Sequence, residues 1–306
     1  MKDRWSRVAA TALAITLALG PATAGLAEDS APEENGEAAG EAEESEGPNR
    51  GRVSLLVQND FTSAYFFRGI LQERDGFIWQ PYAEVSLNLY ESETGFLRGV
   101  TPGMGVWNSF QSRKTLAEHS PTNLYETDWY PFLSVDLPHG VNFTTIYWIY
   151  TSPNGAFDTV QEVELDLAWD DSDVLGRWAM NPSVAFALET DRTSFGNKRG
   201  SACILGVEPT LYEFENETFP LSFSLPVQLG LSIDNYYEEP GRSNDTFGYL
   251  SWGLTGTLPL PYIPEDYGFW SIKVNGTGYY FSNPLTRANR GDRLYPVVMG
   301  SLVFEY

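Results

Sequence analysis

Carboxylates at alternate positions are the side chains in this sequence that could act on small ions. In the stretches 126–128 and 162–166 the acids are spaced two apart, so they share one face of an extended chain. Rings of acidic side chains attract cations. The candidate set comprises the acids Glu84, Glu126, Asp128, Glu162, Glu164, Asp166 and Glu208 and the bases Arg68, Arg98 and Lys273, which could counter some of them. Two interpretations stay open: a solvated wall without a ligand, or a constriction that sets ion selectivity.

Residues suited to covalent or metal chemistry are scarce. The two histidines, His119 and His139, fall in predicted connections, and no serine motif marks a nucleophile. A pairing of His119 with Glu118 is the remaining catalytic alternative. Cys203 is the single cysteine, which excludes an internal disulfide and a cysteine-based zinc cluster. The acids at 170–173 lack a recognised calcium-binding spacing. We therefore expect no catalytic residue, no metal and no cofactor.

The candidate acids lie in segments with a two-residue hydrophobic period. In 221–233 every odd position is apolar and every even position is small or polar, which is typical of a strand with one apolar face. These residues at about 3.3 Å each reach roughly 40 Å, long enough for a strand that crosses a bilayer. Twelve such runs are predicted, at 53–61, 77–90, 96–110, 124–137, 141–151, 160–169, 177–190, 201–214, 220–234, 246–258, 268–281 and 294–306.

The connections between these runs alternate between short turns and longer, more polar loops, as in outer-membrane barrels. Strands can cross a bilayer only as a closed ring, because every backbone polar group there needs a partner. The sequence therefore predicts an all-β fold, a closed antiparallel transmembrane β-barrel of about 12 strands. Short turns would be periplasmic and longer loops extracellular, with both ends of the barrel chain periplasmic. A secreted, soluble β-sandwich is the alternative.

The first fifty of the 306 residues differ in character from the rest. Basic residues, a short apolar run and small residues predict a signal peptide at 1–27 that is cleaved after Ala27. Residues 28–50 are rich in Glu, Ala and Gly and predict a disordered acidic leader. The barrel is assigned to 51–306. Ten of the 41 acidic and four of the 19 basic residues lie in the first fifty, which leaves a net charge of −16 on the barrel. This acidity argues against a nucleic-acid partner.

Aromatic residues have two expected roles in such a barrel. Tryptophan rings near strand ends favour the level of the lipid headgroups, and the girdle candidates are Trp79, Trp129, Trp148, Trp169, Trp178, Trp252 and Trp270, with Trp107 also in a predicted strand. The last run ends with Leu302, Phe304 and Tyr306 on one face. That ending resembles the assembly signal of Gram-negative outer-membrane barrels. It implies contact with periplasmic chaperones and the barrel-assembly machinery.

The stretch 60–72, with the sequence DFTSAYFFRGILQ, resembles the opening of the TorF-type family of outer-membrane porins. That family has a phrase like T-S-D-Y-x-F-R-G-I-S-Q. The matching residues are Thr62, Ser63, Tyr65, Phe67, Arg68, Gly69, Ile70 and Gln72, whereas Ala64 replaces an acid and Leu71 replaces a serine. The resemblance covers about a dozen residues and implies an outer-membrane channel, without assigning binding residues.

The sequence as a whole predicts a porin-like channel in the outer membrane of a Gram-negative cell. Small solutes or ions would diffuse passively through a hydrated lumen that weakly prefers cations. The surrounding partners would be outer-membrane lipid and lipopolysaccharide. One alternative is a non-conducting barrel, filled by side chains and loops, with a structural or surface-binding role. The other is the secreted sandwich.

Overall fold

The structure is a computed structural model that describes residues 51–306, except for 197, 215, 217–218 and 239–244. The predicted signal peptide and acidic leader therefore lie outside the described residues. Within the described part of the chain, no helix has the length and apolar character needed to cross a bilayer.

Most of the described chain is extended. The strands are β1 (Val53–Thr62), β2 (Tyr65–Phe67), β3 (Ile70–Glu73), β4 (Ile78–Leu87), β5 (Tyr90–Glu91), β6 (Gly99–Gln111), β7 (Leu124–Asp136), β8 (Val141–Thr151), β9 (Val160–Trp169), β10 (Ser183–Asp191), β11 (Ser201–Val207), β12 (Thr210–Phe214), β13 (Leu221–Ser224), β14 (Val227–Asp234), β15 (Phe247–Pro259), β16 (Phe269–Phe281) and β17 (Leu294–Glu305). The helices are α1 (Ser172–Leu175) and α2 (Asn283–Ala288), with two 3-10 turns at Gly176–Trp178 and Glu265–Tyr267.

The strands form a closed antiparallel ring. Neighbours follow the order β1, β4, β6, β7, β8, β9, β10, β11, β14, β15, β16 and β17, and β17 pairs with β1 to complete the circle. β12 and β13 continue β11 and β14 towards the short turns. The described chain thus forms a closed twelve-stranded barrel, which confirms the predicted fold and excludes a sandwich.

Side chains alternate between the outside of the ring and its lumen. On β7, Trp129 and Leu133 point outward and are 43% and 45% exposed, whereas Asp128 and Tyr130 are buried in the lumen. The same alternation places Leu302 on the outer face of β17. Its partners in the predicted assembly signal also lie on this face, where the ring of Phe304 packs 4.9 Å from that of Trp270. Leu302, Phe304 and Tyr306 therefore share one face as predicted, while their role in assembly stays a prediction.

Two proline sites and one predicted strand differ from the regular pattern. Pro209 and Pro226 interrupt β11–β12 and β13–β14 because proline has no backbone N–H to donate to the ladder. The run predicted at 177–190 becomes a strand only at Ser183. The segment before it is helical and turned, because the buried Asp171 carboxylate accepts hydrogen bonds from the backbone N–H groups of Met180 and Asn181. The prediction of a strand from residue 177 was wrong for this reason.

The hydrophobic core lies inside the ring. One cluster centres on the buried rings of Trp107, Tyr130 and Trp148, and a second on Tyr237 and Phe281. Burying an aromatic or large aliphatic side chain contributes roughly 1.5–3 kcal/mol relative to leaving it exposed. The lumen is therefore stabilised as a packed interior over part of its length.

Candidate functional site: a hairpin and an acidic wall in the lumen

The connection from β1 to β4, predicted as a plain long loop, contains a β-hairpin that folds into the lumen. β2 and β3 pair with each other, and Arg68 and Gly69 form the two-residue tip with φ of 45° and 79°. Two successive positive φ values are typical of the tight hairpin turns in which glycine is favoured. A Cβ at Gly69 would lie 2.9 Å from Cδ1 of Tyr249 and 3.0 Å from Cδ1 of Leu285. Glycine at the tip thus permits both the turn and its close approach to the wall.

The tip is fastened to the wall by the Arg68 guanidinium. Its Nη1 and Nη2 donate to the two carboxylate oxygens of Glu162 at 2.6 Å each, which is a bidentate ion pair. Nη2 also donates to Glu164, and Nη1 donates to the Tyr236 hydroxyl at 2.7 Å. All four side chains are buried. We call this arrangement, Arg68 with Glu162, Glu164 and Tyr236, the latch.

The hairpin reaches opposite parts of the ring. Tyr65 donates to a carboxylate oxygen of Glu126 on β7 at 2.9 Å and packs on Trp107 of β6. Phe66 stacks on Tyr279 and Phe281 of β16, with centroid distances of 5.1 and 5.2 Å. Because β6 and β7 lie across the ring from β16 in the strand order, the hairpin crosses the lumen.

Residues of two other loops at the same end hold the hairpin. The Asn289 side chain donates to the carbonyl oxygen of Gly69 at 2.8 Å and accepts from the backbone N–H of Leu71 at 2.9 Å. The Tyr237 hydroxyl donates to the backbone oxygen of Arg68 at 3.1 Å. Asn289 follows α2, and Tyr237 follows β14. The long-loop end of the barrel is therefore a connected assembly rather than a set of independent loops.

The acids predicted to line the lumen all point into it and are buried. They are Glu84, Glu126, Asp128, Glu162, Glu164, Asp166 and Glu208. The structure groups Glu162 and Glu164 with Arg68, and Asp166 lies within electrostatic range of the same guanidinium. Their inward direction follows from strand periodicity, whereas their role in ion selectivity stays a prediction.

A second group of acids lies on β4 and β7. Glu126 and Asp128 are neighbours on the inner face of β7, and Asp128 and Glu84 both lie within electrostatic range of the Tyr130 hydroxyl. One oxygen of Glu84 and one of Asp128 are buried without a hydrogen-bond partner among the described residues. This part of the wall presents carboxylate oxygens that a cation or water could contact.

A third group surrounds Lys273 on β16. The acids that interact electrostatically with it are Glu305, Asp60 and Glu208, and Glu208 also accepts a hydrogen bond from Ser224 at 2.6 Å. Lys273 therefore lies among lumenal acids, while its role in countering them stays a prediction. Asp60 and Glu305 were absent from the predicted set, although both fall on the inward parity of their strands and could have been found from that parity.

Arg98 does not join these groups. It is half-buried in the connection before β6, at the short-turn end, and its backbone N–H donates to the carbonyl oxygen of Asp136. Its position outside a strand removes the alternation on which the lumenal assignment rested.

The tryptophans divide between the two faces of the ring. Trp148 is fully buried in the lumen, stacks on Tyr150 and donates from Nε1 to Glu164 at 3.4 Å, so its prediction as a girdle residue was wrong. Trp107 is lumenal as well. The parity of β8 and β6 decides the direction of both side chains. The girdle prediction for Trp148 rested on residue type and not on this parity. The outward girdle candidates are Trp79, Trp129, Trp169, Trp252 and Trp270, while Trp178 is exposed in a 3-10 turn outside the strands.

The histidines lie at opposite ends of the barrel. His119 is in the long loop after β6, and its backbone N–H donates to the carbonyl oxygen of Asn154. His139 occupies the short turn between β7 and β8 with a φ of 64°. Across the described ranges, no group of three or more His, Cys, Asp and Glu side chains could hold a metal ion.

Charge at the latch depends on its burial. Burial alone would lower the pKa of the Arg68 guanidinium, but the carboxylate of Glu162 and other acidic neighbours outweigh it and raise that pKa. Burial also raises the pKa of the Tyr236 phenol, which the guanidinium partly opposes. The latch therefore pairs a charged arginine with a neutral phenol as well as with carboxylates.

No protein-family model and no curated protein matches this sequence. Solved structures with a similar course of the chain include an outer membrane channel from Pseudomonas putida F1, at 10% identity over 83% of this chain and 95% of that chain, with a TM-score of 0.44. The NanC porin matches at 11% identity over 82% of this chain and 98% of that chain, with a TM-score of 0.41. The beta domain of a Bordetella autotransporter, BrkA, matches at 10% identity over 83% and 98%, with a TM-score of 0.37. At such low TM-scores these likenesses carry no argument about function.

Proposed function

We propose that this protein is an outer-membrane channel for small solutes that prefers cations and whose lumen the β2–β3 hairpin narrows at the long-loop end. The observation that carries the proposal is the closed ring of strands with an apolar outer face and an acidic inner face. An apolar belt suits lipid, and a ring without free edges satisfies every strand backbone. Function then depends on what the lumen admits.

The cation preference rests on the charges that face the lumen. Among the described residues, inward acids greatly outnumber the inward bases Arg68 and Lys273. Carboxylates in a narrow, low-dielectric space attract cations and repel anions. Diffusion would be passive, because we expect no energy source coupled to transport. We also propose that the protein is not an enzyme, because the sequence predicts no catalytic residue.

A specific observation favours a second candidate, a non-conducting barrel with a structural or surface-binding role. The hairpin crosses the lumen, and the latch and the aromatic clusters fill the space beside it. If the hairpin never leaves, solutes have no path at this level. The two candidates therefore differ in whether the hairpin moves.

Conductance across a planar bilayer tests the proposal. Under a tenfold KCl gradient, we expect the wild-type protein to give a reversal potential of the cation-preferring sign. Recorded at alkaline pH, where buried carboxyl groups are more fully ionised, the double variant Glu84→Gln/Asp128→Asn should shift that potential towards zero, because it replaces two lumenal carboxylates with neutral amides of the same shape. The matched control Glu265→Gln neutralises an exposed acid in a short turn and should leave it unchanged. Anion preference would overturn the selectivity claim, and silence of both wild type and Arg68→Ala would overturn the channel and favour the non-conducting barrel.

Cellular location belongs to the same proposal. We propose export through the cleaved signal peptide, delivery by periplasmic chaperones and insertion by the barrel-assembly machinery into a membrane of lipid and lipopolysaccharide. Support comes from the N-terminal pattern, from the outward row that ends with Tyr306, and from the resemblance of residues 60–72 to TorF-type porins. Fractionation of a Gram-negative host with antibody detection tests location directly.

A further inference from the structure

The wall of the barrel forms a pocket around the Arg68 guanidinium that would suit the same group on another molecule. Glu162 offers both carboxylate oxygens in the bidentate geometry that matches a planar guanidinium. Glu164 and the Tyr236 hydroxyl accept from the remaining edge of the group. None of the three acceptors belongs to the hairpin: Glu162 and Glu164 lie on β9 of the barrel wall, and Tyr236 lies in the loop after β14. The two carboxylates would therefore remain in the wall if the hairpin moved.

The pocket contains one acidic side chain more than its occupant binds by hydrogen bonds. Glu162, Glu164 and Asp166 are three buried acids beside the single guanidinium of Arg68. Both carboxylate oxygens of Asp166 are buried and have no hydrogen-bond partner among the described residues. A buried carboxylate without a partner is costly. The pocket therefore has acceptor capacity for a cationic ligand beyond what Arg68 uses.

Aromatic rings complete the pocket. The Arg68 guanidinium lies 5.6 Å from the ring centroid of Tyr236. Tyr150 donates from its hydroxyl to Glu162 at 3.2 Å and stacks on Trp148 at 5.6 Å with nearly parallel planes. Planar cations are attracted to aromatic faces, more strongly where water is excluded. The bidentate carboxylate geometry selects a planar cation over a compact one, and the aromatic faces add affinity for either.

We propose that this pocket is a binding site for small solutes that carry a guanidinium group, and that Arg68 is an internal occupant which such a solute displaces. The inference rests on the proposed channel function, because displacement of Arg68 would release the tip of the hairpin from the wall. Entry of the solute and opening of the lumen would then be one event. The substrate class is a guanidinium-bearing cation small enough to reach the lumen.

Competition with the tethered arginine sets the required concentration. A group held near its site on a short chain segment has an effective concentration of about millimolar or above. A solute must reach a comparable concentration to displace Arg68, whereas it would meet no competitor in an Arg68→Ala variant. The same solute should therefore bind the variant more tightly than the wild type.

The test uses the full-length protein, folded in detergent, with methylguanidinium as the probe. Wild type and Arg68→Ala are heated at several probe concentrations in the millimolar range, far below those that denature proteins. The transition is read from heat-modifiable migration on a gel. We expect a saturable rise of several degrees in the midpoint of Arg68→Ala, at least a tenfold lower half-saturation than in wild type, and no such rise with methylammonium or methylurea. The change in fluorescence that Trp148→Phe abolishes reports binding independently.

The control Arg68→Ala/Glu162→Gln removes one carboxylate of the pocket and should lose the response. If Arg68→Ala does not assemble, Arg68→Lys replaces it, because lysine keeps the charge but lacks the planar fork. An equal response to methylguanidinium and methylammonium, or a response that survives the Glu162 change, would overturn the proposal. Because the readout is thermal, a variant that binds the probe in a barrel that never conducts would refute the channel and leave the pocket standing.

Discussion

Removal of the Arg68 side chain is the perturbation that most directly tests how the hairpin is held. In the wild type, the guanidinium and the Glu162 carboxylate have side-chain exposures of only 2% and 0%. Arg68→Ala leaves Glu162, Glu164 and Asp166 in the wall without their shared counter-charge. Loss of one partner from a buried ion pair typically costs about 3–5 kcal/mol, since the other charge stays buried and unpaired.

The magnitude follows from what the hairpin can do in response. If the hairpin leaves the lumen, water can hydrate the three acids, so the cost is relieved and appears as a shift towards the undocked hairpin. With about 1.4 kcal/mol for each factor of ten, a cost of about 3 kcal/mol raises the undocked fraction about 100-fold. The hydrogen bonds from Asn289 and Tyr237 to the hairpin remain and oppose its release. We therefore use the lower end of the range of about 3–5 kcal/mol.

Proteolysis after Glu73 measures this fraction. Glu73 is 2% exposed in the docked hairpin, so a glutamate-specific protease can cut there only after release. When docking is fast compared with cleavage, the rate follows the undocked population. We expect Arg68→Ala to raise the rate of this cut about 100-fold, with the site identified by mass spectrometry.

The matched control is Arg290→Ala, which removes an arginine from an exposed pair. Arg290 and Asp75 have side-chain exposures of 49% and 54%, and exposed pairs contribute about 0–1 kcal/mol. Its effect on cleavage after Glu73 should stay below about fivefold. Equal rates in the two variants, or an unchanged rate in Arg68→Ala, would refute the reasoning that the latch holds the hairpin.

Three further predictions concern other parts of the barrel. Gly69→Ala forces a Cβ into the wall at a left-handed tip and should destabilise the docked hairpin by about 1–3 kcal/mol, seen as faster cleavage after Glu73, whereas Gly95→Ala, which meets no atom within 4 Å, should not. Lipids with brominated chains should quench Trp252, which faces outward, but not Trp148, which faces the lumen. The contribution of each tryptophan is the fluorescence lost in Trp252→Phe or Trp148→Phe, and the reverse pattern of quenching would contradict the face assignment. Deletion of Tyr306 should lower the heat-modifiable fraction in cells while refolding in detergent stays normal, and loss of both would point to stability rather than assembly.

The strands could be predicted because their signal is local. In β7 and β9 the alternation of polar and apolar side chains within about a dozen residues decides which face meets the lumen. Prediction failed at residue 177, where the Asp171 carboxylate organises a turn, and at Trp148, where residue type was weighed above parity. The first failure concerns a tertiary contact that a strand period does not contain, whereas the period of β8 by itself places Trp148 in the lumen.

The hairpin in the lumen could not be predicted from residues 62–76 alone. Its position depends on partners far along the chain, such as Glu162, which is 94 residues from Arg68, and Asn289, which is 220 residues from Gly69. A sequence segment that contains Gly between polar and aromatic residues is equally compatible with an exposed loop. The inward Arg68 was a candidate for pairing with a lumenal acid, but no local pattern named which one.

The phrase that resembles TorF-type porins acquires a physical meaning from these distant contacts. Tyr65 donates to Glu126, Arg68 binds Glu162, and Gln72 accepts from the Tyr125 hydroxyl at 2.7 Å, so three of its polar side chains each find a partner on the wall. Gly69 supplies the turn that brings them there.

The phrase therefore encodes a β-hairpin that docks in the lumen: Gly69 supplies its turn, and Tyr65, Arg68 and Gln72 supply its contacts with the wall. Replacement of Tyr65, Arg68 or Gln72 therefore leaves a hydrogen-bonding partner on a barrel strand without that contact. Replacement of both members of such a pair should weaken docking less than replacement of one member. Arg68→Met with Glu162→Met should therefore release the hairpin less than Arg68→Met alone. The double variant removes both charges. The difference in hairpin release between the single and double variants therefore measures the cost of burying an unpaired Glu162 carboxylate, separately from the net stabilisation by the ion pair. If the double variant releases the hairpin as much as the single one, Glu162 is not the partner that holds the tip.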